Sequence, residues 1–216
     1  MKLKKTRKNI SLHEPIFSGL EKKYLNDCLD SSWVSTSGKY IKKFENAIKK
    51  FLDVKHAIAC NSGTSSLHIS LILAGVKAKD EVIVPTVTFI APINTVRYID
   101  ANPIFMDCDN YLNIDMDKTI EFLKKETIYK NGFTINKKSK RIIKAIIVVH
   151  VYGNAVNLEK IKGLCSKRNI KIIEDSSESL GTIYSGKIIQ SKHTGTIGDI
   201  GCLSFNGNKI ITSGSV

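Results

Sequence analysis

Arginine is scarce in this chain. Of its 33 basic residues only Arg7, Arg97, Arg141 and Arg168 are arginine, so lysine carries almost all of a formal net charge of +13. Arginine is the usual bidentate reader of guanine edges and phosphates. A lysine excess without an aromatic-basic motif therefore speaks against nucleic-acid readout and for a solvated basic surface. The five cysteines, Cys28, Cys60, Cys108, Cys165 and Cys202, are odd in number, scattered and never spaced as CxxC. That pattern excludes a disulfide framework and a zinc site and suits a reducing, cytoplasmic setting. No apolar run approaches the ~20 residues that a membrane helix needs. The opening MKLKKTRKN has no apolar stretch behind it, so neither a signal peptide nor a transit helix is expected. There is also no P-loop, no GxGxxG fingerprint and no nucleophile elbow. His13, His56, His68, His150 and His193 show no metal-ligand spacing.

What is present is enough apolar sequence for one substantial domain and too little chain for a second: 216 residues, 42% of them hydrophobic. Residues 1–12 read as a basic tail and residues 13–216 as the domain. LEKKYLNDCLD, from Leu20 to Asp30, has helical spacing. KYIKKFENAIKKFL then puts Ile41, Phe44, Ile48 and Phe51 on one face of a helix that closes near Leu52. Beyond it, short apolar runs begin at His56, Glu81, Pro103, Ala145, Ile170 and Gly201 and read as buried strands. Helical stretches begin near Ser65, Ala91, Met116 and Leu158. This alternation predicts an α/β fold, a mostly parallel sheet with helices on both faces. The polar segment Tyr129 to Arg141 breaks the rhythm and is expected to be an exposed loop or hairpin. Parallel sheets collect ligands at the carboxyl ends of their strands, so residues just after each run are the candidates for chemistry.

Four such places stand out. After Cys60, NSGTSS leads into a helix through small side chains, which suits an anion held on the first-turn N–H groups; plain N-capping by Thr64 and Ser65 explains the same residues. Asp175 ends the run IKIIED, where a carboxylate can pair with a protonated ring nitrogen of pyridoxal or cap a helix. Lys209 follows Ser204 by five positions in a loop rich in Gly and Asn, where an amine can be aimed inward; with 29 lysines in the chain, a surface role is the alternative. Phe89, just past EVIVP, offers an aromatic face to a flat ring or else a core side chain.

In this order, SGTSSLH, GVKAKDEVIVPTVTFIAPINTV, DANPIFMDCD, AIIVVHVYGNAVNL, IIEDSSESLGTIYSGK and GDIGCLSFNGNK closely resemble the DegT/DnrJ/StrS family of nucleotide-sugar aminotransferases. The resemblance implies a type I aspartate aminotransferase-like large domain with pyridoxal 5'-phosphate (PLP) as cofactor. Lys209 would be the Schiff-base lysine, Asp175 the partner of the pyridine nitrogen and Phe89 the stacking ring. Gly63, Thr64, Ser65 and Ser204 would hold the phosphate. Glu178 stands where many relatives carry Gln or His near the ring hydroxyl, and Trp33 corresponds to a loop that lines the sugar pocket or simply packs. The implied reaction moves an amino group, from glutamate, to a keto-sugar nucleotide, and the subgroup implied is the legionaminic-acid type, acting on a UDP-linked 4-keto-6-deoxy-N-acetylhexosamine. Full-length relatives imply a homodimer and a smaller C-terminal domain, which the reading expects to be absent after ITSGSV. A sugar dehydratase of the same fold would carry histidine in place of Lys209, and a non-catalytic fragment remains the alternative from another class.

Overall fold

The computed structural model describes residues 14–214. The expected basic tail, residues 1–12, and His13 lie outside them. The elements are α1 (Leu20–Asp30), α2 (Lys39–Leu52), α3 (Gly63–Leu73), β1 (Glu81–Pro85), α4 (Ile90–Tyr98), β2 (Asn102–Met106), α5 (Met116–Lys125), β3 (Thr127–Lys130), β4 (Phe133–Asn136), β5 (Ile142–Val149), α6 (Lys162–Lys167), β6 (Lys171–Asp175) and β7 (Ile200–Cys202).

Strands β2, β1, β5, β6 and β7 lie side by side in that order, all parallel. Their side chains alternate across the sheet and build one core on each face. Ile83, Ile146, Val148 and Ile172 meet Leu123 of α5, Cys165 of α6, and Leu158 and Ile161 just before α6. Val82, Val84, Ala145, Ile147 and Ile173 meet Leu67 and Leu71 of α3 and Val96 of α4. Every residue of β1 is buried and so are the last five of β5. Continuous apolar runs are what strands covered on both faces require. The expected sandwich is therefore the one found, with the carboxyl ends of β1, β5, β6 and β7 opening on one side.

Several segments differ in detail from the pattern expected from sequence. The run from His56 to Cys60 is extended but is not a strand. Its Ala59 N–H donates to the Glu45 carboxylate at 2.9 Å, and Ile58 is 79% exposed. An apolar run becomes a strand only when a neighbour supplies ladder partners, and the sheet ends at β7. Beyond β7 the Ser213 N–H donates to the Phe205 carbonyl at 2.8 Å, which closes the Lys209 loop on itself. The last expected strand, Gly201 to Phe205, shortens to Ile200–Cys202 because the chain turns away into the Lys209 loop. The helix expected from Leu158 starts as a 3₁₀ turn, Leu158–Lys160, and only Lys162–Lys167 is α-helical. Of the two forms expected for Tyr129 to Arg141 the hairpin is the one found, with β3 and β4 closed by Asn131 and Gly132, both at positive φ, the two-residue turn that matches strand twist. It also joins the sheet, since β4 pairs antiparallel with Ile142 and Ile143 of β5. Along α2 only Leu52 is buried; Phe44 packs edge-on against Phe205 at 4.8 Å and Phe51 stays 52% exposed.

Ile146 is fully buried at the centre of the sheet, whereas Ile188 is 81% exposed. Ile146→Ala is expected to cost about 2–5 kcal/mol in urea unfolding, and Ile188→Ala less than ~0.5 kcal/mol.

Candidate functional site

The strand ends and the start of α3 enclose a cavity of about 940 Å³. Gly63, Thr64, Phe89, Asp175, Glu178, Ser204 and Lys209 all line it. Seven residues chosen from separate stretches of sequence thus share one space because parallel strands deliver their carboxyl ends to the same edge.

The helix that frames this cavity begins at Gly63, two residues before the start expected near Ser65. Ser62, not Thr64 or Ser65, is the N-cap: its hydroxyl accepts the Ser65 N–H at 3.1 Å, and the Ser65 hydroxyl lies 3.1 Å from the same oxygen. Ser65 is therefore turned to the cap, and it is not among the cavity-lining residues. The first-turn N–H groups of Gly63 and Thr64 have no carbonyl below them in the helix and stand at its positive end. Gly63 has to be glycine, since a Cβ there would sit 2.9 Å from the Ser204 Cβ and 3.3 Å from the Ser177 hydroxyl. That close approach puts the Ser204 and Ser177 hydroxyls beside the N-terminal end of α3, an arrangement that suits an anion. Ser177 was not singled out from sequence; its place two residues after Asp175 in a strand-end turn was the available signal.

Asp175 leaves β6 on the face shared with Ile173 and α3, and it is only 5% exposed. Burial pushes its carboxyl above the usual value, opposed by the Ser177 N–H at 3.1 Å and by the charge of Lys209. A buried carboxylate with so little compensation is suited to a cationic ligand atom. Lys209 is held inward, its side chain 11% exposed, with Nζ 3.2 Å from Glu178 and 5.8 Å from the centroid of Phe89. The other Glu178 oxygen accepts the N–H of Tyr152, a residue in the left-handed region at φ 51. Phe89 caps the start of α4 and is 69% exposed, so its ring faces the cavity as an open aromatic surface rather than a core side chain. Trp33 lies elsewhere, in the turn after α1, 55% exposed and not among the cavity-lining residues.

Glu174, next to Asp175, points to the opposite face. Burial pushes its carboxyl up, but the bonds from His150 and from the Gly198 and Gly195 N–H groups outweigh burial and leave it below its ordinary value of 4.5. All five cysteines are free, and burial raises the Cys202 thiol to about 11, so it is inert at neutral pH. Among the described residues no cluster of His, Cys, Asp and Glu could hold a metal ion, and no helix is long and apolar enough to cross a membrane.

The paired carboxylates give opposite pH behaviour. Glu174, with a folded-state pKa below 4.5, contributes stability that is present above pH 4.5 and is lost as pH falls through the folded value. Asp175, raised, favours the folded state in its protonated form, so the cofactor-free chain loses that contribution as pH climbs through the folded value. Asp175→Asn is therefore expected to raise the neutral-pH melting temperature of the cofactor-free chain while weakening PLP binding roughly 10- to 100-fold. Calorimetry and PLP titration of the same variant check both halves.

Comparison with known proteins bears on this arrangement. Residues 16–215 match the DegT/DnrJ/EryC1/StrS aminotransferase family. The GDP-perosamine synthase of Escherichia coli O157:H7 is 41% identical over 207 residues, 96% of this chain and 51% of that one. An aminotransferase from Psychrobacter cryohalolentis superposes with a TM-score of 0.78 at 31% identity, over 94% of this chain and 47% of the other. The E. coli GDP-4-keto-6-deoxy-D-mannose-3-dehydratase, solved with bound hydrated PLP, gives a TM-score of 0.79 at 27% identity, over 96% and 49%. The chain thus spans about half the length of the relatives it matches. With a match over 200 of its residues and a cavity lined by Lys209 and Asp175, the chain belongs to the DegT/DnrJ/EryC1/StrS aminotransferase family, whose members use PLP.

Proposed function

We propose that this chain is the cofactor-binding domain of a nucleotide-sugar aminotransferase, with Lys209 as the residue that anchors PLP. The observation that carries the reading is the inward-held Lys209 amine, 5.8 Å from the Phe89 ring centre, in the same cavity as a buried, poorly compensated Asp175. When bound, PLP supplies an electron sink for a carbanion beside its ring. The rest is the work of the chain. The N–H groups of Gly63 and Thr64 with the hydroxyls of Ser204 and Ser177 hold the phosphate, and the helix end favours its charge. Asp175 holds a proton on the ring nitrogen, which relieves its own charge. Phe89 offers its face to the ring. Lys209 Nζ would anchor the cofactor and, in each half of the reaction, would move the proton between the substrate carbon and the cofactor. Glu178 keeps that amine within reach, since its two oxygens tie Lys209 to the backbone of Tyr152.

The substrate pair follows from the same reading: glutamate gives up its amino group and leaves as the 2-oxo acid, and a 4-keto-6-deoxy sugar nucleotide becomes the 4-amino sugar. The sequence resemblance favours a UDP-linked N-acetylhexosamine, acting within a cytoplasmic homodimer. The 41% identity with a GDP-perosamine synthase favours a GDP-linked hexose as the second reading. The lysine at position 209 favours transamination over the dehydratase alternative. Pyridoxal phosphate followed by borohydride is expected to label Lys209 in peptide mapping, and Lys209→Ala to remove that label and lower turnover by at least about 1000-fold. Scattered labelling of surface lysines would contradict the reading. Parallel assays with UDP- and GDP-linked 4-keto-6-deoxy sugars separate the two substrates.

A further inference from the structure

Glu174 takes no part in the steps above, yet it is the most heavily bonded side chain near the site. It is fully buried. Its Oε1 accepts the N–H groups of Ile197 at 2.7 Å and Gly198 at 2.6 Å. Its Oε2 accepts the Gly195 N–H at 3.0 Å, the His150 Nε2–H at 3.0 Å and the Tyr184 hydroxyl at 3.4 Å. His150 is also fully buried, and its Nδ1 accepts the Val156 N–H at 3.0 Å, which fixes the proton on Nε2 and points it at Glu174. We infer that Glu174 is a positioning residue of the proposed PLP site, holding the 195–198 loop and His150 so that β7 delivers Ser204 and Lys209 to the cofactor and β6 presents Asp175. The inference rests on the aminotransferase reading and adds to it a residue that touches neither cofactor nor substrate.

The path from Glu174 to the site is short and made of backbone. Residues 195–198 feed directly into β7, and a Cβ on Gly201 of that strand would run into the Gly195 carbonyl, so loop and strand lie against each other. The Cys202 carbonyl at the end of β7 accepts the Ser176 N–H at 2.8 Å, immediately after Asp175. On the other side the His150 N–H donates to the Asp175 carbonyl at 3.2 Å. Both backbone neighbours of the Asp175 carboxylate are thus set by strands that Glu174 ties together. An amide at this position fails chemically, because every contact of the carboxylate is a donor and the amide NH₂ would face donors whichever way it turned.

His150 gives the cleaner test. Gln at this position can offer a carbonyl oxygen to Val156 and an N–H to Glu174, whereas Leu of similar volume offers neither. We expect His150→Leu and Glu174→Gln to raise amide exchange at Gly195, Ile197 and Gly198 in the cofactor-free chain by about tenfold or more, the scale of a local opening. The same variants, incubated with PLP, are expected to lose at least half of the induced visible circular dichroism per cofactor trapped on Lys209. His150→Gln is expected to restore both. If Glu174→Gln does not fold, the His150→Leu and His150→Gln pair decides alone. A wild-type visible signal in His150→Leu, or one that Gln fails to restore, overturns the positioning role. Absence of trapped cofactor on Lys209 in the unaltered chain overturns the aminotransferase reading itself and this inference with it.

Discussion

Two adjacent buried carboxylates at the end of β6 organise the rest of the molecule. Strand alternation sends Glu174 to one face and Asp175 to the other. Glu174 is surrounded by N–H donors and keeps its charge; Asp175 is buried with far less compensation and carries its charge at a cost. The first stabilises the frame, and the second leaves an electrostatic vacancy shaped for a cation. Environments that drive neighbouring titratable groups apart mark functional sites in general. Here the division of labour is between holding the loop that leads to Lys209 and holding the ligand that Lys209 would anchor.

The sheet serves this arrangement by bringing distant sequence to one edge. Asp175, Ser204 and Lys209 follow β6 and β7, Phe89 follows β1, and Gly63 opens the helix that covers the same face. The two apolar cores fix the strands, so the precision of the cavity comes from packing far from it. Gly63 marks the closest approach, where α3 touches the Ser204 turn and only the missing side chain allows contact.

Much of this was legible in the sequence because it follows local rules. The runs from Glu81, Ala145 and Ile170 are continuously apolar, and only strands covered on both faces need that. Asp175 ends β6 and Ser204 lies just past β7, which is where a parallel sheet places its ligands; Lys209 follows in the loop beyond, and Gly63 opens α3. What was missed depends on partners that local sequence does not name. His56 to Cys60 has strand composition but no ladder partner beside it among the described residues. Ser62 rather than Thr64 caps α3, a choice set by backbone angle rather than residue type. Glu174 was not singled out from sequence, because its five donors come from segments 10 to 24 residues away.

The central claim is that Asp175 holds a proton on the cofactor's ring nitrogen in a site anchored by Lys209. The ¹⁵N chemical shift of ring-labelled PLP bound to this chain reads that proton directly. The account predicts the shift of a protonated pyridine at neutral pH in the unaltered chain and of an unprotonated one with Asp175→Asn. An unprotonated ring nitrogen beside intact Asp175 would contradict it.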